Sequence, residues 1–131
     1  MAHRRDTICA LASGAPPSAI STIRISGPAV TDIIAARFSR SPLTPRHATL
    51  VDLVSETGEK VDEGLAVFMP GPASYTGEDT VELSLHGGRV ITELALKSIM
   101  SAGARLAEPG EFTRRAFEAG KLDLTRAEAV A

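Results

Sequence analysis

Apolar and polar positions alternate most cleanly over residues 80–86. There Val81, Leu83 and Leu85 point one way and Thr80, Glu82, Ser84 and His86 the other, which predicts a half-buried strand. Residues 20–26 alternate likewise, with Ile23 and Ile25 opposite Thr22, Arg24 and Ser26. Shorter strand-like runs fall at 7–11, 47–54, 61–69 and 104–107, and Glu56-Thr57-Gly58-Glu59 reads as a hairpin turn between the two central ones. Helical patterns occupy about 28–38, with Pro28 at the first position, and 89–102 and 111–119. In the second of these, Val90, Ile91, Leu94, Ala95 and Ile99 form the expected core face, leaving Leu96 and Met100 on the other side. A last helix is expected over 126–131, cut inside a longer one. The fold class is α+β, a mixed sheet with flanking helices.

The 131 residues amount to one domain, with a core that must be aliphatic: four Phe, one Tyr and no Trp accompany 44% hydrophobic residues. A formal net charge of −2 argues against a generic nucleic-acid-coating module. Its distribution is uneven: residues 1–50 carry six Arg against two Asp, and residues 51–131 carry eight Lys or Arg against 14 acids. Such polarity would let two faces attract, within the chain or between copies. The single Cys9 precludes an internal disulfide and, lying in an apolar run, is expected to be buried and inert. No apolar run is long enough to span a bilayer, and residues 1–6 are polar, so a reduced, cytoplasmic setting is the expectation.

Several chemistries are excluded by spacing. His3, His47 and His86 are too scattered for a metal site, no Gly-x4-Gly-Lys-Ser/Thr is present, and no serine sits in a nucleophile-elbow sequence. His86-Gly87-Gly88 at a strand-to-helix junction reads either as an anion-facing turn or as a plain tight turn. Two charges isolated among apolar neighbours are more pointed: Arg24 in Ile23-Arg24-Ile25 and Glu82 in Val81-Glu82-Leu83. If their strands share a sheet, a carboxylate for an amidine-like ring edge and a guanidinium for a carbonyl or carboxylate share one polar face. The competing reading is that Arg24 and Glu82 simply pair with each other.

Six segments occur in one order: Thr22-Ile23-Arg24-Ile25-Ser26-Gly27, Phe68-Met69-Pro70-Gly71-Pro72, Tyr75-Thr76-Gly77-Glu78-Asp79, Leu85-His86-Gly87-Gly88, Pro109-Gly110-Glu111-Phe112-Thr113 and Gly120-Lys121-Leu122-Asp123-Leu124. Together they closely resemble the N-terminal domain of the tRNA-modifying GTPase family called MnmE or TrmE, over residues 6–131. The resemblance implies residues 1–122 as a folate-binding and dimerisation domain, like the tetrahydrofolate-binding part of aminomethyltransferases, and 123–131 as the start of a central helical domain. It implies a formyl- or methylene-tetrahydrofolate bound through Arg24, Glu82 and Lys121. It also implies a homodimer, an FAD-dependent partner protein and tRNA, whose wobble uridine receives an aminomethyl-type group. GTP, Mg and K would belong to a GTPase centre outside this chain, so the piece is expected to be non-catalytic alone. Alternatives are a pure dimerisation platform and a stand-alone aminomethyltransferase-like enzyme. Two departures from the family pattern are the glycine-poor stretch at 13–21 and Ala119 before Gly120-Lys121.

Overall fold

The computed structural model describes residues 6–13 and 19–120. Six strands and three helices follow the chain as β1 (Thr7–Leu11), β2 (Ile20–Ser26), α1 (Val30–Arg37), β3 (Thr49–Val54), β4 (Lys60–Met69), β5 (Thr80–His86), α2 (Arg89–Ser101), β6 (Ala104–Leu106) and α3 (Glu111–Glu118). The strands form one open sheet in the order β3-β4-β5-β2-β1-β6. Every pairing is antiparallel except β1 with β6, so the sheet is mixed and the class is α+β as the alternation predicts.

The period-two pattern decides which sheet face is buried. Ile23, Ile25, Val81, Leu83 and Leu85 project to one side and join Val30, Ile33 and Ile34 of α1 and Ala95 and Ile99 of α2 in a single aliphatic core. The other face keeps the polar partners, and the 70–79 loop and α3 meet its β2–β5 end.

The first helix starts two residues later than Pro28 suggests. Gly27 adopts φ +139°, and a Cβ there would lie 2.6 Å from the Thr7 Cα, so the turn closes directly on β1. Thr7 Oγ1 then accepts from the Ala29 amide at 2.7 Å, which supplies the cap from a neighbouring strand.

Helix α2 is rotated from the expected face. Val90 and Leu94 are 67% and 47% exposed, whereas Leu96 and Met100 pack against the core. The reason is two hydroxyls facing inward: Thr92 donates to Ser21 Oγ at 3.2 Å, and Ser98 donates to the Val54 carbonyl at 2.6 Å. Small hydrogen-bonding residues let the helix lie close to the strands, and periodicity of apolar residues does not register them.

Candidate ligand-binding face

Arg24 and Glu82 stand directly opposite each other on β2 and β5, with Thr22 and Ser84 paired two residues along. Cross-strand partners share a face, so four polar side chains meet on the sheet side away from the core. Arg24 Nε donates to Glu82 Oε2 at 2.8 Å, and the two side chains are 25% and 32% exposed. Thr22 and Ser84 hydroxyls lie 3.1 Å apart. Among the described residues, Arg24 is hydrogen-bonded through Nε and Glu82 through Oε2.

Two of the five aromatic rings in the chain flank this pair. The Arg24 guanidinium carbon is 5.2 Å from the centre of the Tyr75 ring and 5.4 Å from that of Phe112, within cation–π range. Tyr75 comes from the 70–79 loop and Phe112 from the first turn of α3. Their hydroxyl link, Tyr75 to Thr113 at 3.1 Å, ties the loop to the helix. Neither ring was legible as a site residue from spacing; the available signals were the scarcity of aromatics in the chain and the place of both rings within the motifs shared with the family.

Below the rings, a buried ionic network fixes α3 to the sheet. Arg115, 4% exposed, donates to both Glu78 oxygens at 3.1 and 3.2 Å, to the Asp6 carbonyl at 2.8 Å and to the Glu111 carboxylate at 3.3 Å. Arg105 reaches Glu111 at 2.7 Å. Hydrogen bonds from Arg105 hold the Glu111 carboxyl at about 2, against burial, which would raise it. They also lower Asp6. Glu78 accepts from Ser26 at 2.9 Å, so the network ends at β2, two residues from Arg24. The network supports the candidate face from below.

Lys121 lies outside the described residues, as do 14–18 of the glycine-poor loop and the helix expected over 126–131. The His86-Gly87-Gly88 turn resolves in favour of the plain reading. The His86 amide donates to the Asp62 carboxylate at 2.9 Å and the Gly87 amide to the Ala19 carbonyl at 3.2 Å, so both are taken up by partners within the chain. Burial would raise the Asp62 carboxyl, but the His86 amide and ring outweigh it and lower the group. Cys9 is fully buried, and desolvation pushes its thiol up to about 11. Among the described residues no cluster of three or more His, Cys, Asp or Glu could hold a metal, and no helix is long and apolar enough to cross a membrane.

The sequence comparisons meet this architecture along nearly all of it. Residues 7–121 match the family model described as GTP-binding protein TrmE N-terminus. The tRNA modification GTPase MnmE of Hyphomonas neptunium is 57% identical over 128 residues, covering 97% of this chain and 29% of that protein. Those of Caulobacter vibrioides and Aquifex aeolicus are 52% and 50% identical, across 28% and 29% of their lengths. The chain therefore spans under a third of the relatives it matches. With a family model covering its whole sheet and all three helices, the chain belongs to the TrmE N-terminal family.

Proposed function

We propose that this domain binds a reduced folate, formyl- or methylene-tetrahydrofolate, on the Arg24–Glu82 face, and that it serves a tRNA modification GTPase of which it is the N-terminal part. The observation that carries the reading is the placement of one guanidinium and one carboxylate as cross-strand partners on an accessible sheet face beside Tyr75 and Phe112. A pterin offers a flat ring with an amidine-like donor edge and a carbonyl. Glu82 suits the donors, Arg24 the carbonyl or a carboxylate, and the aromatic rings suit the flat faces. Lys121 is proposed as a third contact. In this reading residues 1–122 bind folate and dimerise, and 123–131 open a helical segment.

In the whole protein, the reading extends to a cytoplasmic homodimer working with an FAD-dependent partner on the tRNA wobble uridine. GTP, Mg and K would be handled by other segments. The relatives are tRNA modification GTPases, which supports the tRNA and GTP parts of that extension.

The Arg24–Glu82 ion pair must open or rotate for both groups to meet a ligand. At a quarter to a third exposure it is a partly buried pair still reached by solvent, worth on the order of 1 kcal/mol, which a ligand can replace. Isothermal titration with 5-formyl-tetrahydrofolate tests the reading. The parent should bind, and Glu82→Ala should lose at least tenfold in affinity with its fold intact by circular dichroism. Absence of heat from the parent would instead favour a dimerisation platform.

A further inference from the structure

The row of cross-strand partners through Thr22 and Ser84 does not stop at β5. Ser84 is opposite Leu65 on β4, and Leu65 is opposite Leu50 on the edge strand β3. Side chains in one such row stand on one face, so Leu65 and Leu50 continue the face that carries Arg24 and Glu82. They are 49% and 54% exposed, an apolar shelf extending two strand spacings, about 10 Å, from Ser84. Beside Glu82, Val67 is its β4 partner, so the shelf begins at the ion pair itself.

At its far end the shelf meets a cleft of about 680 Å³ between the 39–48 loop and β3, which Leu50 lines together with Arg40, His47, Ser41 and Thr44. The segment from 37 to 49 holds Arg37, Arg40 and Arg46 and no acid. Arg37 is spent on the end of α2 through the Ser98 carbonyl, and Arg46 donates to the Ala73 carbonyl. Arg40 and the His47 imidazole are exposed at the cleft. The nearest acid on β3, Asp52, is paired with Lys60 at 3.4 Å.

From this succession of polar pair, apolar shelf and cationic cleft, we infer that the domain takes its folate in polyglutamylated form. The aminobenzoyl unit crosses Leu65 and Leu50, and the glutamate chain enters the cleft at Arg40 and His47. The inference rests on the folate reading and adds a subsite to it. Arginine recognises carboxylates through its fork, and a chain of carboxylates gains with each residue within reach of the cleft. Because the cleft is open to solvent, this part of the affinity is salt-dependent.

The test compares the mono- and pentaglutamate forms of 5-formyl-tetrahydrofolate by titration against the parent, Arg40→Gln and Leu65→Ser, at low and at 0.3 M salt. The parent should bind the pentaglutamate at least tenfold more tightly at low salt, with the gap shrinking at high salt. Arg40→Gln should remove most of that gap, weakening the pentaglutamate far more than the monoglutamate. Leu65→Ser should weaken both forms several-fold. Equal affinity of the two forms for the parent overturns the subsite and leaves the folate reading standing. Failure to bind either form overturns both. Sedimentation of Leu65→Ser supplies a further arm: a dimer in the parent that this variant dissociates would show a second copy on the shelf and overturn the assignment.

Discussion

Arg115 of α3 points its Nη1 at both carboxylate oxygens of Glu78 in the 70–79 loop, at 3.1 and 3.2 Å, with the arginine side chain 5% and the glutamate 15% exposed. The contact joins two segments 37 residues apart and sets Tyr75 and Phe112 beside Arg24. A candidate face assembled from loop, helix and sheet depends on such a strut, because none of the three elements places its side chains alone. Arg115→Met should therefore cost about 3 to 5 kcal/mol, measured by urea unfolding, since it leaves Glu78 and Glu111 short of a buried partner.

Acid should weaken the same region. Glu111 has its carboxyl held at about 2, below its ordinary value of 4.5, so its contribution to stability is complete above about pH 4.5. That contribution, up to about 3 kcal/mol, is lost as pH falls from 4.5 towards 2. Urea midpoints taken between pH 6 and pH 3 should fall for the parent and fall less for Glu111→Gln, which starts lower. Parallel slopes in the two proteins would refute the assignment.

Gly64 on β4 faces the β5 backbone so closely that a Cβ would lie 2.0 Å from the Ser84 carbonyl oxygen. Gly64→Ala must push β4 from β5 just where Leu65 pairs with Ser84. A loss of about 1 to 3 kcal/mol is expected, together with weakened ligand binding, read from thermal melting and titration.

The two faces of α2 can be told apart directly. Ile99→Ala removes a fully buried side chain and should cost about 2 to 5 kcal/mol. Leu94→Ser alters an exposed position and should stay within about 0.5 kcal/mol. Equal costs would restore the face that periodicity alone suggests.

Cys9 offers a probe of the fold. With no exposed surface and its thiol raised to about 11, it should resist a disulfide reagent at pH 8 and react fully in denaturant. Fast reaction in the folded state would mean that the β1 region opens readily.

The strand positions and the buried sheet face were legible in the sequence because a strand has a strict two-residue period. Val81, Leu83 and Leu85 against Glu82 and Ser84 admit only one packing. Arg24 and Glu82 could be singled out for the same reason, as charges within otherwise apolar runs. Family motifs extended that reading to the class of protein and, as a proposal, to the ligand.

Other features depended on contacts between distant segments, which no local pattern encodes. Nothing in the spacing of Arg24 and Glu82 shows that β2 and β5 are neighbours in a register that sets them 2.8 Å apart. Thr92 and Ser98 turn α2 toward partners 71 and 44 residues away, so that Ile91, Ala95 and Ile99 of its apolar stripe stay in the core while Val90 and Leu94 leave it. Tyr75, Phe112 and the Asp6–Glu78–Glu111–Arg115 network likewise acquire their roles only when loop, helix and sheet close on one another. Side-chain periodicity therefore determined the layers of this domain, and long-range hydrogen bonding and ion pairing decided how its candidate face is built.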